Sequence, residues 1–431
     1  MLDLESEKPS NGANHYENVA CPFCGMACDD LEIGPSGSGG LKVLKNGCVK
    51  SRSGFERPLI EPSPQIDGKD VPLSEAIAEA AKLIRESRLP VFGGLGTDVD
   101  GMRAVMPLAE RSGGVVDHAM SGDAYRNLRV YQSSGYLTTS LTEARNRADL
   151  FIIAGGDVHK THPRFFERIV CTDESMFAET PAKRTVIFLG EGLDESAAKG
   201  NRIGEVLTLA CKPDRIGEIL DAMRALAKGA SIPAETIGGL PRSAVEDLLA
   251  RCKAASYGVM VWLPSSLNFP SADLTIQAIN EFIKELNLTQ RFAGLSLGGS
   301  EGSTTVNAVC TWQSGFPLRL SFASGKADYD PNRYDASRMI AAKETDLIVW
   351  LASFTEALNP PDTDVPMIVL GTPHLKLKRT PKVYIPVGTP GVDQDGTIVR
   401  VDSVVSLPLR KLRQSNLPAA QNVLASIEAA L

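Results

Sequence analysis

The sequence predicts an α/β protein with a small N-terminal cysteine-rich subdomain ahead of two doubly wound α/β domains. Three observations carry this. Apolar runs of strand length alternate with segments of helical period over most of the chain. Those runs are almost continuously apolar, as befits strands buried on both faces of a parallel sheet. Four of the eight cysteines fall within the first 48 residues. At 431 residues the chain is long enough for two or three domains.

In chain order, residues 1–18, "MLDLESEKPSNGANHYEN", are polar and acidic, lack a signal-peptide core and read as a flexible tail. Residues 19–60 hold the cysteines. "IEPSPQIDGKD" is rich in turn formers and marks a boundary. Strands are then expected in "LPVFGGLGT", "ADLFIIAGGD", "RTVIFLGEG", "YGVMVWLP", "TDLIVWLAS", "PMIVLGT" and "KVYIPVG". Helices are expected in "LSEAIAEAAKLIRES", "VDGMRAVMPLAERSG", "PDRIGEILDAMRALAKG", "SAVEDLLARCKAA" and "SADLTIQAINEFIKELN", whose apolar residues recur three and four apart. Such alternation builds doubly wound sheets, and there are strands enough for two. A last helix, "PAAQNVLASIEAAL", closes the chain.

Hydrophobic residues at 43% and charged residues at 23% are ordinary globular values. A net charge of −7 argues against a nucleic-acid surface, which needs a basic stripe. No apolar run approaches the length of a membrane span. The expected compartment is the cytoplasm, where clustered cysteines more often mean metal than disulfide.

Cys21, Cys24, Cys28 and Cys48 give C-x2-C-x3-C-x19-C. A cubane iron–sulfur cluster (4Fe-4S) needs one thiolate per iron, and three ligands from one tight loop with a fourth from a distant turn meet that geometry. Gly25 would let the backbone wrap the cluster, and Asn46-Gly47 would make the turn presenting Cys48. Zinc is the rival, although its second paired knuckle is missing; four thiols binding nothing is the third reading. Cys171, Cys211, Cys252 and Cys310 stand singly in apolar stretches and read as packing residues.

Ligands of doubly wound sheets sit beyond the carboxyl ends of the strands. Several strands here end in glycines. Gly94 and Gly96 could cradle a phosphate while Thr97 or Asp98 caps the next helix. The plainer reading is that glycine there relieves crowding.

With the cysteine motif set before this α/β pattern, the chain resembles the molybdopterin oxidoreductase superfamily. Within it, the chain is similar to the B subunits of formylmethanofuran dehydrogenase and of the formyltransferase/hydrolase complex. "CPFCGMACDDLEI", "NRADLFIIAGGDVHKTHPRF", "FPLRLSFASGKADYDPNRYDAS" and "GTPGVDQDGTIVRVD" carry the resemblance. It implies a cluster subdomain (19–60) and two Rossmann-like domains, the first formed by 61–118 and 300–431, the second (119–299) inserted in it. It also implies partner subunits in a one-carbon complex. In the dehydrogenase it implies tungsten or molybdenum held by two pterin guanine dinucleotides, with a cysteine on the metal and a histidine beside it. Lys50 matches a lysine set between cluster and pterin, and His159 and His162 lie on a loop that would face the pterin. By themselves, an exposed lysine and two pocket-shaping histidines explain these three as well.

Two departures from the resemblance bear on function. In "VVDHAMSGDAYRN" the metal-binding cysteine is replaced by Asp123 and the histidine by Ala124. In "VIFLGEGLDES", Gly190 and Glu191 replace an Asp-x-Arg motif that would hold guanosine. Carboxylate can bind a hard, high-valent metal, but losing thiolate and imidazole together points away from a redox centre.

The leading expectation is therefore a non-redox assembly subunit of a formyltransferase/hydrolase complex. Such a complex moves a formyl group from formyl-tetrahydromethanopterin to methylofuran and releases formate. The five histidines (His15, His118, His159, His162, His374) make no hydrolytic zinc site, so hydrolysis would belong to a partner subunit. The alternative is an active tungsten or molybdenum dehydrogenase with Asp123 as ligand. A plain nucleotide-binding protein is the weakest reading, for want of G-x-G-x-x-G after the first strand.

Overall fold

The seven apolar runs all form buried strands, and their burial on both faces is what makes them parallel-sheet interiors. A computed structural model describes residues 15–37, 40–176 and 183–431. One sheet has five parallel strands in the order Ile203–Leu209, Arg184–Leu189, Leu150–Ala154, Tyr257–Trp262, Arg291–Ser296. Its strands alternate between two cores. Phe151, Ile153, Val186, Phe188, Val259 and Val261 face one side, and Ile152, Ile187, Met260 and Trp262 face the other.

Helices cover that second side. Ala272–Leu286 buries Ile276, Ile279, Phe282, Ile283 and Leu286 along one stripe. Five such side chains contribute roughly 10 kcal/mol of transfer free energy, at about 1.5–3 kcal/mol each. Ser121–Ser134 packs beside it and is far more polar, burying only Ser121, Asn127 and Val130.

The larger sheet has nine strands and draws on residues 65–116 and 320–386, on either side of the smaller one in sequence. Its parallel centre runs Val115–Val116, Pro90–Gly96, Leu347–Ala352, Met367–Gly371, Val383–Pro386. Short antiparallel strands flank it at both edges. Leu73–Glu86, Val99–Ser112 and Ala420–Ala429 pack together on one face. Asp98 starts Val99–Ser112, its carboxylate accepting from the Gly101 amide at 3.1 Å, and Gly113 ends it in the left-handed region.

Ahead of both lies a three-stranded antiparallel sheet, Tyr16–Val19, Leu31–Pro35 and Leu41–Lys45, followed by the helix Val49–Phe55. Its apolar side chains join the core on the first face of the five-stranded sheet. The tail expected over 1–18 falls mostly on residues 1–14, outside the described residues, and its last residues enter the first strand. Among the described residues no helix is long and apolar enough to cross a membrane.

Candidate functional site

The cysteine segment folds back on itself between the first two strands. The Cys21 amide donates to the Cys28 carbonyl at 2.8 Å and the Ala27 amide to the Cys24 carbonyl at 3.2 Å, with Ala27 left-handed at φ 45°. Cys48 caps the helix Val49–Phe55, and its amide donates to Ser51 Oγ at 2.8 Å. Asn46, also left-handed, turns the chain before it and donates from Nδ2 to the Asp30 carbonyl. Cys21, Cys24, Cys28 and Cys48 thereby line one small apolar cavity, closed on the far side by Pro163 and Arg164.

All four are free thiols. Burial, followed by repulsion from Cys28, pushes Cys24 up to about 12. Burial likewise raises Cys21 well above its ordinary value. Among the described residues no three His, Cys, Asp or Glu side chains are grouped to hold one metal ion.

A second, larger cavity of about 600 Å3 lies beside the first. It opens at the carboxyl ends of Tyr257–Trp262 and Arg291–Ser296, where ligands of open α/β sheets bind. Lys50, Asp123 and His162 line it together. Its other walls include Tyr131 and Tyr136, stacked at 4.0 Å, and the start of the helix Ser303–Ser314. His162 is buried and points Nε2 at the Gly298 carbonyl, 3.0 Å away; burial pulls it down to about 4, so the ring is neutral.

Asp123 stands in the first turn of Ser121–Ser134. Arg126 Nη1 donates to its Oδ1 at 2.7 Å and to the Pro264 carbonyl at 3.0 Å, while Nη2 donates to Asn268 Oδ1 at 2.7 Å. Next along, Asn127 accepts from Trp262 Nε1 at 3.0 Å and donates to Ser296 Oγ at 2.7 Å. The helix start is therefore pinned to the ends of two strands. Beneath it, His118 Nδ1 accepts from the Met120 amide and Nε2 meets the Glu301 carbonyl. His118 is thus a buried turn residue, pulled down to about 4 by burial.

The other expected site residues lie elsewhere. Gly94 and Gly96 end their strand against protein. A Cβ on Gly94 would fall 2.7 Å from the Trp350 ring, and one on Gly96 2.6 Å from Leu358. His159 lines a shallow groove with Cys171 and Lys199, outside the 600 Å3 cavity. Glu191 is exposed on the loop after Arg184–Leu189. Sequence reasoning passed over Arg126, Asn127 and the tyrosine pair, because "SGDAYRNLRVYQSS" has too few apolar residues to read as a helix. A polar stretch directly after a buried strand was the available signal.

No protein-family model matches the chain. Individual proteins match over most of its length. The B subunit of the tungsten-containing formylmethanofuran dehydrogenase 2 of Methanocaldococcus jannaschii is 27% identical over 413 residues, 92% of this chain and 93% of that one. The protein of the same name from Methanococcus maripaludis is 25% identical over 92% of this chain and 94% of its own. The B subunit of the formyltransferase/hydrolase complex Fhc of Methylorubrum extorquens is 27% identical over 77% of this chain and 87% of its own. A chain in the X-ray crystal structure of the formyltransferase/hydrolase complex (FhcABCD) from Methylorubrum extorquens, in complex with methylofuran, superposes with a TM-score of 0.71 at 26% identity. The match covers 85% of this chain and 98% of that one.

Proposed function

We propose that this homologue of the B subunits of formylmethanofuran dehydrogenase and of the formyltransferase/hydrolase complex is a non-redox assembly subunit of a complex of the second kind. Its partners are the other subunits. Together they carry a formyl group from formyl-tetrahydromethanopterin through methylofuran to formate, with transfer and hydrolysis on partner chains. The fold is read as a cysteine-rich subdomain before two Rossmann-like domains, one inserted in the other. The five-stranded sheet lying in sequence between the two parts of the nine-stranded one supports that reading.

The observation that carries the proposal is the Asp123–Arg126 pair. At the position where the family resemblance implies a metal-binding cysteine, the carboxylate is already hydrogen-bonded to a guanidinium that is itself anchored to Pro264 and Asn268. Ala124 beside it offers no donor atom. These residues do not fit a tungsten or molybdenum bis-pterin centre.

The cysteine cavity is different. Four free thiols face one apolar space, and a cubane takes one thiolate per iron. The donor set therefore fits a 4Fe-4S cluster held by Cys21, Cys24, Cys28 and Cys48. Such a group would supply a cross-link and one-electron capacity. Lys50, on the wall of the neighbouring cavity, lies close enough to Cys24 to act on it by charge.

The test is elemental analysis of the native complex, purified without oxygen, for iron, zinc, tungsten and molybdenum, with an ultraviolet–visible spectrum. The expected result is co-purification with the partner subunits, about four iron per chain and neither heavy metal. Near-stoichiometric tungsten or molybdenum would overturn the assembly reading in favour of a dehydrogenase with Asp123 on the metal. Absence of iron removes the cluster alone.

A further inference from the structure

The thiol cavity is not built by the cysteine segment alone. Its outer wall is the loop leading into Phe166–Val170, a single turn of π-helix, a form often found at functional sites. Loop and turn together present two arginines to the two aspartates directly after Cys28. Arg164 grips Asp30 in a bidentate pair, Nη1 to Oδ1 at 2.6 Å and Nη2 to Oδ2 at 2.7 Å, while its Nε holds Glu167 at 3.0 Å. The Arg164 side chain is 5% exposed. Arg168 Nη2 donates to Asp29 Oδ1 at 2.7 Å, and its Nη1 lies 3.8 Å from Asp30.

From this geometry we infer that Arg164 and Arg168 form a clamp with two duties toward the cluster. Arg164 fixes the Cys28 end of the loop, and Arg168 sets the charge felt by the Cys28 sulfur. The inference rests on the cluster reading given above. Bidentate arginine–carboxylate pairs fix direction as well as distance, so this one orients the backbone that delivers Cys28. Guanidinium charge reaches the thiol as well. Arg168 is bonded to Asp29, the residue directly after Cys28, and lies 3.8 Å from Asp30, so its positive charge sits beside the Cys28 end of the loop.

Reduction adds one electron to the cluster, so a nearby positive charge favours the reduced form and raises the midpoint potential. Arg168 is the adjustable half, because its counter-ion Asp29 is about half exposed. Removing Arg168's charge should lower the potential; removing Asp29's charge should raise it. A merely structural salt bridge would not move the two in opposite senses.

The experiment uses the native complex, purified without oxygen, carrying Arg168→Gln, Asp29→Asn or Arg164→Lys in this chain. Three readouts are taken: iron per chain, the rate of iron release to a ferrous chelator, and the midpoint from a dithionite titration followed by electron paramagnetic resonance. Full iron with a lower midpoint in Arg168→Gln, a higher one in Asp29→Asn, and several-fold faster release in Arg164→Lys is the expected pattern. Full iron with unshifted midpoints and unchanged release overturns the clamp and leaves the cluster reading standing. A wild-type complex without iron overturns both. If Arg168→Gln does not assemble, the partly exposed Asp29→Asn variant still decides the charge effect.

Discussion

Arg126 Nη1 lies 2.7 Å from Asp123 Oδ1 and 3.0 Å from the Pro264 carbonyl. One guanidinium thus joins the first turn of a helix to the loop beyond the strand Tyr257–Trp262, and both its partners there, Asp123 and Pro264, line the 600 Å3 cavity. Side chains on both sides of the pair are about a quarter to a third exposed, so water weakens its charge attraction.

Arg126→Ala should cost about 1–2 kcal/mol, because two hydrogen bonds to the loop go with the ion pair. Asp123→Asn, which spares those bonds, should cost under about 1 kcal/mol. Urea unfolding gives both values, and faster amide exchange across 263–268 in Arg126→Ala alone would place the loss at the loop. Equal costs in the two variants would contradict this division.

Arg184 is 1% exposed and donates to the Ile169 and Val170 carbonyls at 2.8 and 2.6 Å, with a third bond to the Arg145 carbonyl. Burial lowers it to about 10, which leaves it charged at neutral pH. Arg184→Ala should strand three carbonyls and cost about 3 kcal/mol or more. A loss under about 1 kcal/mol by chemical denaturation would show that the π-helical turn supports itself.

His118 should give the fold an acid limb. Its folded value is about 4 and its unfolded value about 6.5, so between those limits the unfolded chain takes up a proton that the folded chain refuses. Stability is then full above pH 6.5, falls as pH drops through the window and levels off below 4. The loss approaches about 3 kcal/mol for this residue. Asp117, pushed up to about 7 by burial, works in the opposite sense as pH rises from its ordinary 3.8, so the comparison must be made against His118→Gln. Parallel stability curves for wild type and variant over pH 4 to 6.5 would count against the assignment.

Gly25 and Gly298 meet across the contact between the cysteine loop and the strand-end loop, with unequal freedom. A Cβ on Gly25 would fall 2.2 Å from the Gly298 carbonyl oxygen and 2.9 Å from Val401, whereas one on Gly298 meets nothing within 4 Å. Gly25→Ala should therefore cost about 3 kcal/mol or more through overpacking, and Gly298→Ala within about 0.5 kcal/mol. Thermal melts of the two variants side by side make the comparison.

What the sequence made legible was whatever depends on local pattern. Each of the seven apolar runs is a strand, and each expected helix forms close to its expected bounds, since burial on both faces and one-sided stripes leave periodic marks. The edge strands Ile203–Leu209 and Arg291–Ser296 escaped notice; the first is half exposed, and the second breaks its apolar run with Ala293-Gly294 and is flanked by an arginine and a serine. The helices Ser121–Ser134 and Ser303–Ser314 escaped because their residues are mostly polar and their stability comes from tertiary bonds such as Trp262 to Asn127. Lys50, Asp123 and His162 could be picked out singly, but their meeting in one cavity depends on contacts between segments far apart in the chain. Nothing near Cys28 in sequence announces Arg164 or Arg168.

The cysteine loop also sets a timetable for synthesis. The loop is synthesised well before the segment that supports it, for the Gly25 carbonyl is held by the Val401 amide at 2.8 Å. That partner lies 401 − 25 = 376 residues downstream. At about 5–20 residues per second, the loop waits roughly 20–75 s before its last support exists. Four thiols stay accessible to oxidants and stray metals for that whole interval. Cells making this protein thus face a delivery problem, because whatever the thiols are to hold must arrive after translation or be guarded during it.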